Sequence, residues 1–206
     1  MKMPLARLKI RLRRAAANAL AEKGYEVEER PGKGIRPGAR LLVKKVGGPS
    51  FEVAVRTGRE RSIGFSRLSG GDWRTLRSVL WVLSVVPDDN SDTDFSIFAF
   101  EAKTLTSWFN KALKALEKAK RAPELDVPIF IPLDEQSKKN VGHNIAGLKK
   151  AANWSTPISL KQLENQSLNE GAETFIDRVR REFAERNETD VSNVAVEFRI
   201  LVGEKP

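Results

Sequence analysis

Apolar residues recur every three or four positions near the start of the chain, at Leu5, Leu8, Leu12, Ala16 and Ala19. That spacing draws one stripe along a helix over 4–23, because residues three and four apart lie above one another on a helical surface. Pro4 suits the first turn and Gly24 the stop. Arg7, Arg11 and Arg14 fall opposite the stripe, while Lys9 and Arg13 flank it. No acid precedes Glu22, as in a targeting presequence, yet the segment lacks serine and runs straight into a strand-like stretch. We therefore read it as a folded first helix.

The period then changes to two. Strands are predicted over 25–30, 40–46, 51–57 and 61–67, and in the third Phe51, Val53 and Val55 alternate with Glu52, Ala54 and Arg56. Gly47-Gly48-Pro49 and residues 58–60 read as the turns of antiparallel hairpins. A short helix over 72–77 follows, capped by Asp72, then buried strands over 80–86 and 95–101. Leu105, Phe109, Ala112, Leu113 and Leu116 mark the inner face of a helix over 103–121. A strand over 127–133 carries two prolines, which place it near a sheet edge. Further helices are expected over 144–154 and 172–186, and an alternating strand over 194–202. The order predicts a mixed α+β fold: a helix and a mixed, mostly antiparallel sheet over 1–135, with a small C-terminal helix–strand subdomain over 136–206.

Composition narrows the chemistry. A chain of 206 residues with 40% hydrophobic and 31% charged residues is an ordinary globular sequence. The absence of cysteine excludes disulfides, thiolate metal sites and cysteine nucleophiles. A single histidine, His143, excludes a multi-histidine metal site and reads as structural or exposed. No stretch is apolar enough to span a bilayer or to form a signal-peptide core, so the expectation is a cytoplasmic protein without a membrane partner.

The charge is clustered. Residues 1–67 hold 17 Lys+Arg against 6 Asp+Glu, a net of +11, whereas the other 19 basic and 21 acidic residues net −2. The overall +9 therefore resides in the first third, the footprint of a polyanion-binding surface.

Two segments carry a resemblance. A helix ending Leu20-Ala-Glu-Lys-Gly-Tyr25, followed by strands that include Phe51-Glu-Val-Ala-Val-Arg-Thr57, resembles the PD-(D/E)XK nuclease superfamily over residues 15–120. The resemblance implies a restriction-endonuclease-like core whose second strand carries an aspartate and whose third carries an acid, a spacer and a lysine. This chain departs at each of those positions, with Arg40 for the aspartate, Ala54 for the acid and Arg56 for the lysine. Two carboxylates are what hold a divalent cation against a scissile phosphate. Arginine supplies no such ligand, but it is a strong bidentate partner for phosphate.

The expected function is therefore nucleic-acid binding without catalysis and without a cofactor, with DNA favoured over RNA. The expected contacts are Arg40, Arg56, Arg59, Arg61, Arg67 and Lys44, with Arg7, Arg11 and Arg14 as an outer rim. One alternative is a metal-dependent nuclease with a rearranged site, in which Glu52 with Glu28 or Glu29 would hold Mg2+. Another is a protein-interaction component of a nucleic-acid-processing or defence assembly, docking on an acidic partner or through the C-terminal subdomain. Lys33 and Arg36, in the glycine-rich loop 31–38, lie in reach of a ligand, although the glycine spacing is not a dinucleotide fingerprint. Small Ser62, Gly64 and Ser66 share a strand face that either admits a ligand or packs beneath the first helix. Trp73 and Trp154 are candidates for stacking on bases.

Overall fold

Helix α1, Leu5–Glu22, forms along the stripe and buries Leu12, Ala15, Ala16, Ala19 and Leu20. It stops where Gly24 adopts φ +83° and donates its N–H to the Ala21 carbonyl at 2.9 Å; that left-handed geometry is open to glycine at little cost. In this computed structural model the described residues are 4–161, apart from 31, 59, 89–90, 92 and 136–141. Those up to Leu160 belong to a first compact unit, and a second unit covers 161–206. The expected boundary at 135/136 lies inside the first unit, and the expected helix 172–186 and strand 194–202 lie outside the described residues.

The fold is mixed α+β. Strands β1 (Tyr25–Glu29), β2 (Arg40–Lys45), β3 (Ser50–Thr57), β5 (Trp81–Pro87), β6 (Asp94–Glu101) and β8 (Trp154–Ser159) form one sheet. Their spatial order is β1-β2-β3-β5-β6-β8, with β3 and β5 parallel and the other neighbours antiparallel. Strands β4 (Ser62–Ser66) and β7 (Pro128–Pro132) pair as a small second sheet. The hairpin expected between β3 and β4 does not form, because β5 takes the place beside β3. The prolines of β7 stand at its two ends, with no second neighbour among the described residues to deprive of a ladder bond.

Helix α1 covers one face of the main sheet, where Leu41, Val43, Val53, Leu83 and Val85 are buried. Helix α2, Ala102–Lys118, lies on the other face with the small sheet. Its Leu105, Phe109, Ala112 and Leu116 pack with Ile63, Phe65, Val82, Phe100 and Ile131. Each fully buried aromatic or leucine there contributes about 1.5–3 kcal/mol of transfer free energy. Among the described residues no helix is long and apolar enough to cross a membrane.

Two expected helices are replaced. Over 72–77 the chain makes a bridge at Trp73, then turns through Thr75 at φ +81° into a short 3-10 helix, Leu76–Ser78. Trp73 is 2% exposed and donates its indole N–H to Asn110 Oδ1 at 2.9 Å, so it is a core residue and no stacking platform. Over 144–154 the positive φ values of Asn144 and Gly147 break any long helix, leaving a 3-10 turn at Leu148–Ala151 before β8. Trp154 is half-buried on β8 and carries the Lys23 ammonium over its ring.

Candidate anion-binding site

The register of β2 on β3 sets Arg40 opposite Ala54, and Arg56 follows two residues later on the same face of the strand. Beyond Arg40 the chain leaves the sheet, so the C-terminal end of β3 has no β2 residue beside it. A cavity of about 410 Å3 opens there. Lys9 and Arg13 reach it from α1, Arg36 from the loop before β2, Arg40 from β2, and Arg56 from β3. The three positions where the resemblance implies an aspartate, an acid and a lysine thus line one cavity as Arg40, Ala54 and Arg56. Five cations face it, and none of its lining residues is acidic.

Arg13 is the unusual member. It is 7% exposed; its Nη1 donates to the Pro37 carbonyl at 2.9 Å, while its Nε is buried without a partner. Burial first, and the charge of Arg36 second, hold its pKa below the ordinary arginine value. The loop is fitted to it: Gly38 has φ +65°, and a Cβ there would come within 3.0 Å of the Arg13 Cβ. The Gly38 N–H also donates to Glu29 Oε2 at 3.1 Å, so Glu29 anchors the loop.

Arg56 shows the same tension. Its head opens to solvent, yet desolvation first and the neighbouring Arg40 charge second lower its pKa. It is steered by Thr75 Oγ1, which accepts from Nη2 at 2.9 Å, and it stacks 5.1 Å from the centroid of the Phe65 ring. Arg40 donates to the Ser78 hydroxyl at 2.9 Å and pairs with Glu52 at 3.2 Å. Like charges gathered around a lining without acids raise the energy of the empty site, a cost the Glu52 pair offsets at Arg40, and an incoming anion relieves the rest. Arginine stays protonated throughout, so the site can grip phosphate oxygens but offers no arginine base.

The other expected contacts lie elsewhere. Arg61 joins the small sheet to the main one: Nε donates to Asp134 Oδ2 at 2.6 Å, and Nη1 donates to the Pro87 carbonyl at 2.9 Å and to Asp88 at 3.3 Å. That Arg61 bond, helped by Lys149, holds the Asp134 carboxyl below its usual pKa. Arg67 pairs with Glu117 on α2 at 3.7 Å. Lys44 is exposed opposite Glu26 on β1, Arg7 and Arg14 are exposed on α1, and Arg11 is half-buried there. Arg59 lies outside the described residues.

The acids named for a rearranged nuclease site are separated by a strand. Glu28 and Glu52 both stand opposite Leu42, on β1 and β3 respectively, which sets their backbones roughly 10 Å apart. Glu52 is paired with Arg40 and, at 3.7 Å, with Arg30. Among the described residues no three acids or histidines gather as a metal-binding group.

Sequence reasoning missed Lys9 and Arg13 as site residues. Their spacing of four was legible, since it places both on one side of α1 at the border of the apolar stripe. Comparison with family models, with curated proteins and with solved structures returns no match.

Proposed function

We propose that this protein binds nucleic acid without cutting it, taking backbone phosphate into the cavity at the end of β3. The observation that carries the reading is the gathering of Lys9, Arg13, Arg36, Arg40 and Arg56 around one cavity with no acid in its lining. Guanidinium forks match the oxygens of phosphate and position a strand without reading its sequence. A cytoplasmic location, with DNA ahead of RNA as partner, belongs to the same proposal.

Fluorescence anisotropy of labelled duplex DNA, single-stranded DNA and RNA over a salt series tests it. Affinity should fall steeply with salt, and the doubly substituted Arg40→Ala/Arg56→Ala protein should bind more weakly with a slope shallower by about 1 to 2. No binding at low salt would sink the reading. Mg2+-dependent cleavage of a plasmid, abolished by Glu52→Ala, would replace it with the nuclease alternative.

A further inference from the structure

A second cavity, of about 360 Å3, shares Arg56 and Thr57 with the first. Its wall is the face of β4 that presents Ser62, Gly64 and Ser66, and Arg74 and Phe130 also line it. This is where the small residues of β4 are used; they do not lie beneath α1. Phe130 stands directly opposite Gly64 in the β4–β7 register. Its ring occupies the space that a side chain at position 64 would fill, so the glycine lets it lie against the strand. The residue nevertheless remains 52% exposed, unlike Phe65, Phe100 and Phe109, which are at most 1% exposed. Its backbone is held from below: the N–H of Ile145 donates to His143 Nδ1 at 3.1 Å, leaving Nε2 to donate to the Phe130 carbonyl at 3.0 Å. An exposed aromatic ring on a fixed backbone thus stands beside hydroxyls and two arginines.

Resting on the nucleic-acid reading above, we propose that the two cavities take adjacent parts of a single strand. The phosphate sits among the arginines of the first, and an unpaired base stacks on Phe130 in the second. A base inside a duplex already has both faces covered by its neighbours, so only a single-stranded or extruded nucleotide can offer one to the ring. The hydroxyls of Ser62 and Ser66 suit the polar edge of a base or sugar. Arg74 is free to turn inward, since its pair with Asp126 is exposed on both sides and of little worth. The cavity adds no base-reading fork, so the selectivity is for strandedness and both DNA and RNA strands qualify.

The experiment compares labelled single-stranded DNA, single-stranded RNA and duplex DNA against the full-length protein and its Phe130→Ala, Phe130→Trp and Gly64→Ala variants. The expected result is tighter binding of single strands, weakened about 5- to 100-fold by Phe130→Ala and restored by Phe130→Trp, with duplex binding unchanged. Gly64→Ala, which pushes the ring off the strand without removing it, should give an intermediate loss and serves if the Phe130→Ala protein does not fold. If single strands and duplex bind alike and neither Phe130→Ala nor Gly64→Ala alters either, the stacking inference fails while nucleic-acid binding stands. Absence of binding to every probe overturns the underlying reading and this inference with it.

Discussion

Replacing Arg13 by methionine separates what the site costs from what it does. The side chain is 7% exposed and its Nε has no partner. A buried donor left unpaired costs about 1–3 kcal/mol, while the single bond from Nη1 to the Pro37 carbonyl, at 2.9 Å, returns about 1 kcal/mol. Pro37 is exposed, so water can replace that donor. Methionine is unbranched, packs along the same path and removes the repulsion from Arg36. The ligand-free Arg13→Met protein should therefore be more stable by about 1 kcal/mol, a rise in Tm of about 2–4 °C for a chain of this size. With ligand the order reverses. A strand present at about 100 times its Kd stabilises the wild-type protein by about 2.7 kcal/mol, and a variant that binds poorly gains little. Thermal melts of both proteins over a series of single-stranded oligonucleotide concentrations measure the two effects together. Destabilisation of the free variant by 2 kcal/mol or more, on the scale of a lost structural contact, would refute the reasoning. So would equal gains from ligand.

Two further outcomes follow from the same structure. Asp134→Asn should cost about 2–3 kcal/mol at neutral pH by removing the negative charge that faces Arg61 at 2.6 Å and Lys149 beside it. Because the folded pKa of Asp134 is depressed, its contribution is full above the ordinary value of about 3.9 and is lost as pH falls through the lower folded value. The gap between wild type and variant in urea unfolding should thus narrow in acid, and a gap independent of pH would contradict the assignment. Thr75→Gly should raise stability by about 1 kcal/mol, since a β-branched residue at φ +81° stores about 1–3 kcal/mol, offset in part by glycine's unfolded-state entropy and by loss of the exposed bond from Arg56. Lower stability in urea would show that the turn holds too little strain to outweigh that bond.

Most elements were legible because their causes are local. The stripe of α1, the alternation of β3 and the inner face of α2 each depend on residues a few positions apart, and periodicity reports such neighbours directly. Trp73 escaped because its own surroundings, Gly70 to Arg77, are polar and glycine-rich; what buries it are Phe109 and Asn110 of α2, more than thirty residues on. Strand β8 escaped because its partner along the chain is β6, some sixty residues earlier.

The candidate site divides in the same way. Clustering of positive charge in the first third is a property of the sequence alone, and it points to a polyanion whatever the fold. Which cations converge is a matter of pairing. Arg56 and Arg61 are only five residues apart in one basic run, yet Arg56 faces a cavity and Arg61 is bound to Asp134, 73 residues away. Arg13, at the border of a helical stripe, becomes a site residue only because Gly38 and Pro37 pack against it. The chain's local pattern determined the two long helices, most strands and the sign of the charge. Non-local register and the packing of loop on helix decided which arginines are spent on the fold and which are left facing the cavity.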